Sequence, residues 1–279
     1  MINFKHKLSI VAIMKYEEPY VLEWVAYHHC IGVQHFYIYD NDENSSMKRV
    51  LGKYISAGIV TLISAPGPVM MFKCYNDATS AYKDESKYIA FIDADEYLMP
   101  IEDTNVANLV DDLITTYHEK NERVSGLVVK WATYGSGKHI GKPQGLVLEN
   151  YLYRENGFLD RHLKTIVNPR KVSNWCNPHF CIYDDGTSVD EAGLTSFGPF
   201  MYADRRDVIR LNHYYYKSES EFKNRIRKGK CDITISKEEM EALIEDQMPN
   251  FRASNKDYDP IMLRYTSRVN AEMERYRNC

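Results

Sequence analysis

The 279-residue chain lacks the paired cysteines that mark zinc knuckles and disulfide-bonded frameworks. Its six cysteines are scattered along the chain, and no two of them form a C-x-x-C pair. A protein with this cysteine usage needs no oxidising compartment, so we expect a cytoplasmic location.

Long apolar runs are also missing from the sequence. The amino-terminal apolar stretch, residues 8–14, is followed at once by Lys15 and Glu17, which makes it too short for a signal peptide or a transmembrane helix. Any contact with a membrane is therefore expected to be peripheral, at its inner face.

The chain has no excess of positive charge, with 35 Lys and Arg against 39 Asp and Glu, so nucleic acid is not an expected partner. Internal repeats and low-complexity linkers are absent as well. What the chain does have is 44% hydrophobic and 13% aromatic residues, which is ample for the packed core of a globular protein.

Short apolar runs alternate with amphipathic segments through the first half of the chain. Strands are predicted at residues 8–14, 35–40, 59–64, 88–92 and 126–131, and helices at residues 18–32, 46–57, 76–83 and 106–119. This alternation predicts an α/β fold with a mostly parallel central sheet flanked by helices.

The second half of the chain has a different pattern. Glycines, prolines and short alternating runs over residues 134–190 predict a small antiparallel region laid over the ligand edge of the sheet. Capping boxes at Ser218 and Ser236 then predict a helical segment that Pro249 interrupts. We therefore expect one catalytic domain, residues 1–215, with a helical extension, residues 216–279.

A buried run, residues 88–92, ends abruptly in the carboxylates Asp93, Asp95 and Glu96. In open α/β sheets ligands bind at the carboxyl ends of the strands, and two carboxylates one residue apart can share a divalent cation with a substrate phosphate. Lys15 and Asp40 follow two other predicted strands in the same way, which favours a nucleotide site at this edge.

Four ordered blocks, residues 17–28, 32–41, 91–97 and 213–229, resemble bacterial glycosyltransferases of families 2 and 92, which have the GT-A fold. The resemblance implies a nucleotide-sugar donor, most simply a UDP-sugar, and a Mn²⁺ or Mg²⁺ ion held through the D-x-D motif. It also implies inversion at the anomeric carbon and a glycan or glycolipid acceptor, such as lipopolysaccharide or capsule.

The resemblance also assigns roles to individual residues. The metal ligands would be Asp93, Asp95 and His213. The donor-binding residues would be Ala12, Lys15, Glu17, Asp40, Asn76, Asp93, Ala94, Lys217, Arg225 and Lys228. The acceptor-binding residues would be Trp131, Lys164 and His179.

Inversion needs a base that takes the proton of the acceptor hydroxyl. The part of the chain with glycines, prolines and short alternating runs contains three candidates for this base, Asp190, Glu191 and His139. Of these we prefer Asp190, and Asp160 is a further candidate.

Other functions stay open at this point. The basic run that includes Lys217, Arg225 and Lys228 can bind a diphosphate, contact anionic lipid or form a solvated helix face. A metal-dependent phosphotransferase and a sugar-nucleotide-binding module without a base are the alternatives to a glycosyltransferase.

Overall fold

The computed structural model of the chain describes residues 3–203, 205–229 and 234–277. The strands of the central sheet are β1 (His6–Met14), β2 (His35–Asp40), β3 (Val60–Ser64), β4 (Ser86–Phe91), β5 (Glu96–Pro100), β6 (Val124–Thr133), β8 (Leu163–Val167), β11 (Thr187–Val189) and β12 (Ile209–His213). Two small antiparallel pairs combine β7 (Tyr153–Arg154) with β13 (Asp257–Tyr258) and β9 (Val172–Trp175) with β10 (Cys181–Tyr183).

The helices flank this sheet and form the carboxyl-terminal segment. They are α1 (Glu18–Cys30), α2 (Met47–Val50), α3 (Gly52–Ser56), α4 (Met71–Tyr82), α5 (Val106–Lys120), α6 (Val147–Asn150), α7 (Glu219–Arg227), α8 (Lys237–Arg252) and α9 (Thr266–Tyr276). No helix of the described residues is both long and apolar enough to cross a membrane.

The central sheet has nine strands among the described residues, in the order β3-β2-β1-β4-β8-β6-β12-β5, with β11 also paired to β6. Strands β3, β2, β1 and β4 run parallel, β8 is antiparallel between β4 and β6, and β5 is antiparallel to β12. The predicted α/β fold with a mostly parallel sheet is confirmed. Strands β1, β4, β6 and β12 have their carboxyl ends at the same edge.

The core lies on both faces of the sheet because its central strands are apolar along their whole length. In β1, Leu8, Ile10 and Ala12 face one cluster, while Val11 and Ile13 face the other. The first cluster is closed by α1, α5 and α9, and the second by α4 together with Trp175.

Helix α1 covers the outer edge of β5. The Trp24 indole donates to the Glu96 carbonyl, the Tyr27 hydroxyl donates to the Leu98 carbonyl, and the Leu98 amide donates to His28 Nε2. Burial lowers the pKa of His28 to about 3, which keeps its Nε2 available as an acceptor. Polar side chains of the helix thus satisfy backbone groups that a sheet edge would otherwise leave open.

Several element predictions were wrong in detail. Strands β5 and β12 were not predicted, because β5 follows the acidic turn directly and β12 carries Arg210, Asn212 and His213 among few apolar residues. The predicted helix over residues 46–57 is the two short helices α2 and α3, and α4 begins earlier than expected. Pro249 does not stop α8, which continues to Arg252.

Candidate functional site

A cavity of about 230 Å³ lies at the carboxyl ends of β1, β4, β6 and β12. Helix α7 and the residues after it close the cavity from above, and α8 contributes Leu243 and Gln247. Most of the residues that sequence reasoning assigned to the site line this one space. They are Lys15, Glu17, Asp93, Ala94, Asp95, Trp131, Lys164, His179, His213, Arg225 and Lys228.

Asp93 forms an ion pair with the buried side chain of Lys164. The Lys164 ammonium lies 2.8 Å from the Asp93 carboxylate and 3.8 Å from the Glu96 carboxylate. Burial alone would lower the pKa of Lys164, but the Asp93 and Glu96 carboxyl groups outweigh it and raise that pKa above its ordinary value. Lys164 is therefore charged and fixes the position of Asp93.

Glu96 is a buried neighbour of both Lys164 and Asp93. Its Oε2 accepts the Asp93 amide proton at 2.7 Å, and its side chain is fully buried. Burial raises the pKa of Glu96 well above the ordinary range, and the neighbouring carboxylates of Asp93 and Asp95 act in the same direction. The third carboxyl group of the acidic turn thus supports the backbone and does not face the ligand.

Asp95 lies between a histidine and an arginine. His213 Nε2 is 3.5 Å from one carboxylate oxygen of Asp95, and Arg225 Nε is 3.4 Å from the other. Burial acts to raise the pKa of Asp95, but His213 and Arg225 outweigh it and hold that pKa well below its usual range. Asp95 is thus ionised at neutral pH.

His213 is buried, and neither of its ring nitrogens has a hydrogen-bond partner among the described residues. Its ring packs 4.1 Å from Trp131, centroid to centroid. A buried imidazole whose nitrogens form no hydrogen bond in this part of the chain, and whose polar neighbour is the Asp95 carboxylate at 3.5 Å, is costly unless a ligand satisfies it. Together with Asp95, His213 therefore fits two positions in the coordination shell of a divalent cation.

No cluster of three or more His, Cys, Asp or Glu side chains in the described part of the chain is arranged to hold a metal ion. Asp93, the third expected ligand, is instead paired with Lys164. The chain offers an open two-ligand site, in which the remaining coordination positions would belong to water or to a bound phosphate group.

Basic side chains of α7 and of the residues on either side of it line the same spaces as the Asp95 carboxylate. The Arg225 guanidinium stacks on Tyr215 at 3.9 Å, and the Lys217 ammonium lies 3.7 Å from the centre of the Tyr20 ring. Lys217 has a φ of 50°, in the left-handed region that is unfavourable for side chains other than glycine. Such strain is typical of residues that the surrounding structure holds in position for function.

Lys228 links the end of α7 to the turn after β1. Its ammonium donates to a Glu17 carboxylate oxygen and, at 3.2 Å, to the Lys15 carbonyl. A second space, which Asp95, Arg225 and Lys228 also line, opens toward Tyr20 and Lys217. A third space extends from Lys15 and Lys228 to the strand ends near Asn41 and Gly67.

Four expected donor residues do not line the cavity, and one of them, Lys217, lines the second space instead. Ala12 is buried in the core, and its neighbour Ile13 reaches the cavity instead. Asn76 ties α4 to β9, because its side chain bonds both the amide and the carbonyl of Trp175. The Asp40 carboxylate accepts the Asp42 amide at 3.3 Å, and the residues after Asp40 line the third space in its place.

The structure does not bring the expected catalytic bases to the cavity. Asp190 accepts amide protons of its own turn, from Ala192 and Leu194. Glu191 accepts three successive amide protons, from Asp207 to Ile209, at the start of β12.

The two remaining base candidates are also held elsewhere. The His139 ring faces the Asn150 carbonyl of α6 at 3.2 Å. Asp160 accepts the Thr133 amide and pairs with Arg154 and Arg206. Among the described residues, the carboxylates that line the cavity are those of Glu17, Asp93 and Asp95.

The three expected acceptor residues lie together on the far wall of the cavity. Trp131 and His179 are 5.3 Å apart, and Lys164 lies between them and Asp93. The Nδ1–H of His179 donates to the Leu163 carbonyl at 2.8 Å, so its Nε2 carries the lone pair. Burial and the nearby Lys164 cation lower the pKa of His179 to about 3.

Sequence reasoning missed several residues of the site. Tyr215 stands in the same block as His213, which is a signal that could have found it, and Tyr20 stands in the first block. Met71 and Gln247 come from α4 and α8, where no local pattern marks them as site residues.

The ionised and polar groups at the strand ends, with cations beside them, lie at the edge where open α/β sheets bind ligands, and the cations favour a ligand that is an anion. A model of glycosyltransferase family 92 matches residues 10–196, more than half of the chain. The chain belongs to glycosyltransferase family 92, which confirms the resemblance.

Family 92 proteins of plants are similar to this chain. A family 92 protein of Oryza sativa subsp. japonica is 26% identical over 228 residues, 79% of this chain and 35% of the relative. One of Arabidopsis thaliana is 23% identical over 224 residues, 78% of this chain and 37% of the relative. The chain thus spans about a third of the length of these relatives.

Among solved structures, crystal structures of S. aureus TarS are similar. TarS 1-349 is 10% identical with a TM-score of 0.42, covering 87% of this chain and 71% of that chain. TarS 1-349 in complex with UDP is 12% identical with a TM-score of 0.38, covering 58% and 46%.

Proposed function

We propose that this glycosyltransferase moves a sugar, with inversion, from a nucleotide-diphosphate donor to a hydroxyl group of a surface glycan of the lipopolysaccharide or capsule type. The donor we propose is a UDP-sugar. The observation that carries the proposal is the pair Asp95 and His213, 3.5 Å apart at the strand ends, beneath the cations of α7. Family membership and this pair support the same reaction class.

The donor diphosphate would lie between the strand ends and α7. As the glycosidic bond to the leaving nucleoside diphosphate breaks, negative charge develops on the leaving oxygen, and nearby cations stabilise it. Arg225, Lys217 and Lys228 are fixed around this space by ring stacking and hydrogen bonds. Their fixed positions support a role in binding the diphosphate.

A Mn²⁺ or Mg²⁺ ion would be held by Asp95 and His213. When bound, it would supply Lewis-acid stabilisation of the departing diphosphate. The unpartnered buried nitrogens of His213 and the strongly acidic Asp95 carboxyl group support this assignment. Asp93, held by Lys164, would face the sugar and ribose of the donor.

The acceptor would enter along the wall formed by Trp131 and His179. Because the Nδ1–H of His179 is engaged by a carbonyl and the ring is neutral, its Nε2 accepts a hydrogen bond from a hydroxyl group. We therefore propose that His179 orients the acceptor hydroxyl toward the donor.

The test is release of nucleoside diphosphate from a panel of UDP-, GDP- and dTDP-sugars, with Mn²⁺ and with EDTA. We expect Mn²⁺-dependent release from at least one donor, and its loss in Asp95→Asn. The matched control is Asp103→Asn, because Asp103 is an exposed carboxylate that pairs with Arg268 away from the cavity. Release that is unchanged in Asp95→Asn would refute the role of this pair.

A second candidate is a sugar-nucleotide-binding module without turnover. It is favoured by the location of Asp190, Glu191 and His139 outside the cavity. The same panel separates the two functions. A module would show a donor-induced rise in melting temperature without release of nucleoside diphosphate.

A further inference from the structure

A row of aromatic side chains lies exposed beside the cavity. Phe158 is 61% exposed, Phe200 37% and Tyr202 79%. We call Phe158, His162 and Phe200 the aromatic ledge. Neither the donor role nor the acceptor role described above uses these residues. Apolar surface grouped in this way marks an interaction site more often than scattered surface residues do.

The aromatic ledge is continuous with the cavity wall. The His162 ring stacks on Trp131, which lines the cavity, with centroids 4.8 Å apart and planes inclined by 23°. On its other side His162 contacts Phe200 at 4.6 Å and Phe158 at 6.1 Å. An unbroken row of rings thus leads from the acceptor wall to the protein surface.

The aromatic ledge is also held rigidly. Phe158 lies in a 3₁₀ helix, Phe158–Arg161, whose buried Asp160 accepts the Thr133 amide and pairs with Arg206. His162 forms a β-bridge with Phe200, and the Met201 amide donates to the Arg161 carbonyl. A ligand that binds here does not have to order the surface first, which favours affinity.

The chemistry of the row fits a carbohydrate. A sugar ring has an apolar face of C–H groups, which packs on an aromatic ring, and a rim of hydroxyl groups, which needs planar donors and acceptors nearby. The Arg161 guanidinium lies 5.3 Å from the Phe158 ring and 5.3 Å from the Tyr202 ring, and provides such donors.

A lipid surface fits less well. Stable binding to a membrane needs a second signal besides a small apolar patch, usually several free basic side chains. Near the aromatic ledge Arg205 and Arg206 are engaged within the protein, since Arg205 lies 3.7 Å from Asp190 and Arg206 bonds Asp160, so they do not join Arg161 in a cluster of free basic side chains. The row also ends at the cavity through which an acceptor must enter.

We propose that the aromatic ledge is an extended subsite that binds the sugar units of an oligosaccharide acceptor behind the unit that is modified. This inference rests on the proposed glycosyl transfer. It predicts that the protein prefers acceptors of several sugar units over monosaccharides.

The test compares the wild type with a Phe158→Ala, Phe200→Ala double variant. The probes are fluorescently labelled gluco-, galacto-, manno- and rhamno-oligosaccharides of one to six units, and binding is measured by fluorescence anisotropy. We expect the wild type to bind the longer members of one series more tightly than its monosaccharide. The double variant should lose that gain, about tenfold in affinity, while acceptor-independent release of nucleoside diphosphate stays unchanged.

Tyr258→Ala is the matched control, because Tyr258 is 60% exposed and its ring packs against Tyr153 in the surface pair of β13 and β7. It should bind oligosaccharides like the wild type. Equal binding by the double variant and the wild type, or no binding of the panel by the wild type, overturns the inference. So does loss of binding to phosphatidylglycerol vesicles with oligosaccharide affinity unchanged.

The two proposals fail in different ways. A wild-type protein that releases nucleoside diphosphate from no donor contradicts the proposed function. The oligosaccharide measurement needs neither donor nor turnover, so it tests the aromatic ledge separately.

Discussion

Each carboxylate of the D-x-D motif already has a protein partner in the free site, but the two partners differ in kind. Lys164 is buried beneath Asp93 and rises from β8, so it is a permanent part of the site. Arg225 lies on α7 with about a third of its side chain exposed. Of these two cations, Arg225 is therefore the one that a ligand can displace more easily.

Lys164→Met should destabilise the fold. Removing the cation leaves the Asp93 carboxylate beside the buried Glu96 without compensation, which costs on the order of 3 kcal/mol in the free energy of unfolding. The control is Lys87→Met, since Lys87 pairs with Asp111 at a more exposed position and such pairs contribute less than about 1 kcal/mol. Urea denaturation measures both variants, and equal losses would contradict the structural role of Lys164.

His213→Ala should weaken metal-dependent binding of the nucleotide. In the wild type we expect Mn²⁺ to increase the rise in melting temperature that UDP produces. In the variant the Mn²⁺ concentration at half-effect should increase by about tenfold or more, since even outer-shell partners of metal ligands contribute that factor. If the Mn²⁺ titration is unchanged and only the melting temperature of the free protein falls, His213 has a structural role.

At the scale of elements, the orientation of α7 determines which of its arginine side chains reach the cavity. Its amino terminus is fixed by the capping box of Ser218 and Glu221, and Glu221 also accepts the Tyr151 hydroxyl proton at 2.7 Å. This anchoring turns Arg225 toward Asp95, while Arg227 faces Glu241 of α8. Two arginines of one helix thus have separate surroundings.

This difference gives a matched pair of variants. Arg225→Gln should raise the Michaelis constant of the donor or lower turnover, by about tenfold, because a charge-assisted contact with the diphosphate is lost. Arg227→Gln should leave donor kinetics unchanged. If instead both variants keep wild-type kinetics but lose binding to anionic vesicles at low salt, the basic helix serves a membrane.

At the scale of the whole molecule, stability should depend on pH through Glu23. Its carboxylate accepts the amide protons of Val147 and Leu148, and burial raises its pKa from 4.5 to about 7. Between these values the unfolded chain has released the proton and the native protein still holds it. The free energy of unfolding therefore falls as pH rises through this window.

Glu23→Gln removes this titration. We expect the decrease in the free energy of unfolding between about pH 4.5 and 7 to be smaller in the variant, by up to about 3 kcal/mol. Urea unfolding across this pH range measures it, with Glu102→Gln as the exposed control. A variant whose pH dependence matches that of the wild type would show that Glu23 is not the responsible group.

The structural features that could be predicted from the sequence are those that depend on a single strand and on the residues that directly follow it. The apolar run before Asp93 and the family blocks predicted the parallel sheet and brought Asp93, Asp95 and His213 to one edge. The capping boxes of α7 and α8 are present as predicted, because they are local patterns.

The position of Asp190, the preferred base, depends on strand order and register, which place it outside the cavity. Val189 pairs with Leu127 in the middle of β6, whereas the cavity begins at Trp131. At about 3.3 Å per residue, Asp190 therefore lies roughly 10 Å short of the site along the strand. No local signal in the sequence reports that register.

The contact between Lys228 and the turn of Lys15 and Glu17 also bears on how the protein is made. The amino-terminal strands leave the ribosome first, and domains generally begin to fold in that order. The cations that close the cavity come from α7, which follows all strands of the central sheet in the chain, so the cavity is completed only after those strands have been synthesised. Until α7 has docked, the nascent sheet depends on its own core for stability, and no ligand of the completed cavity can protect it from proteolysis.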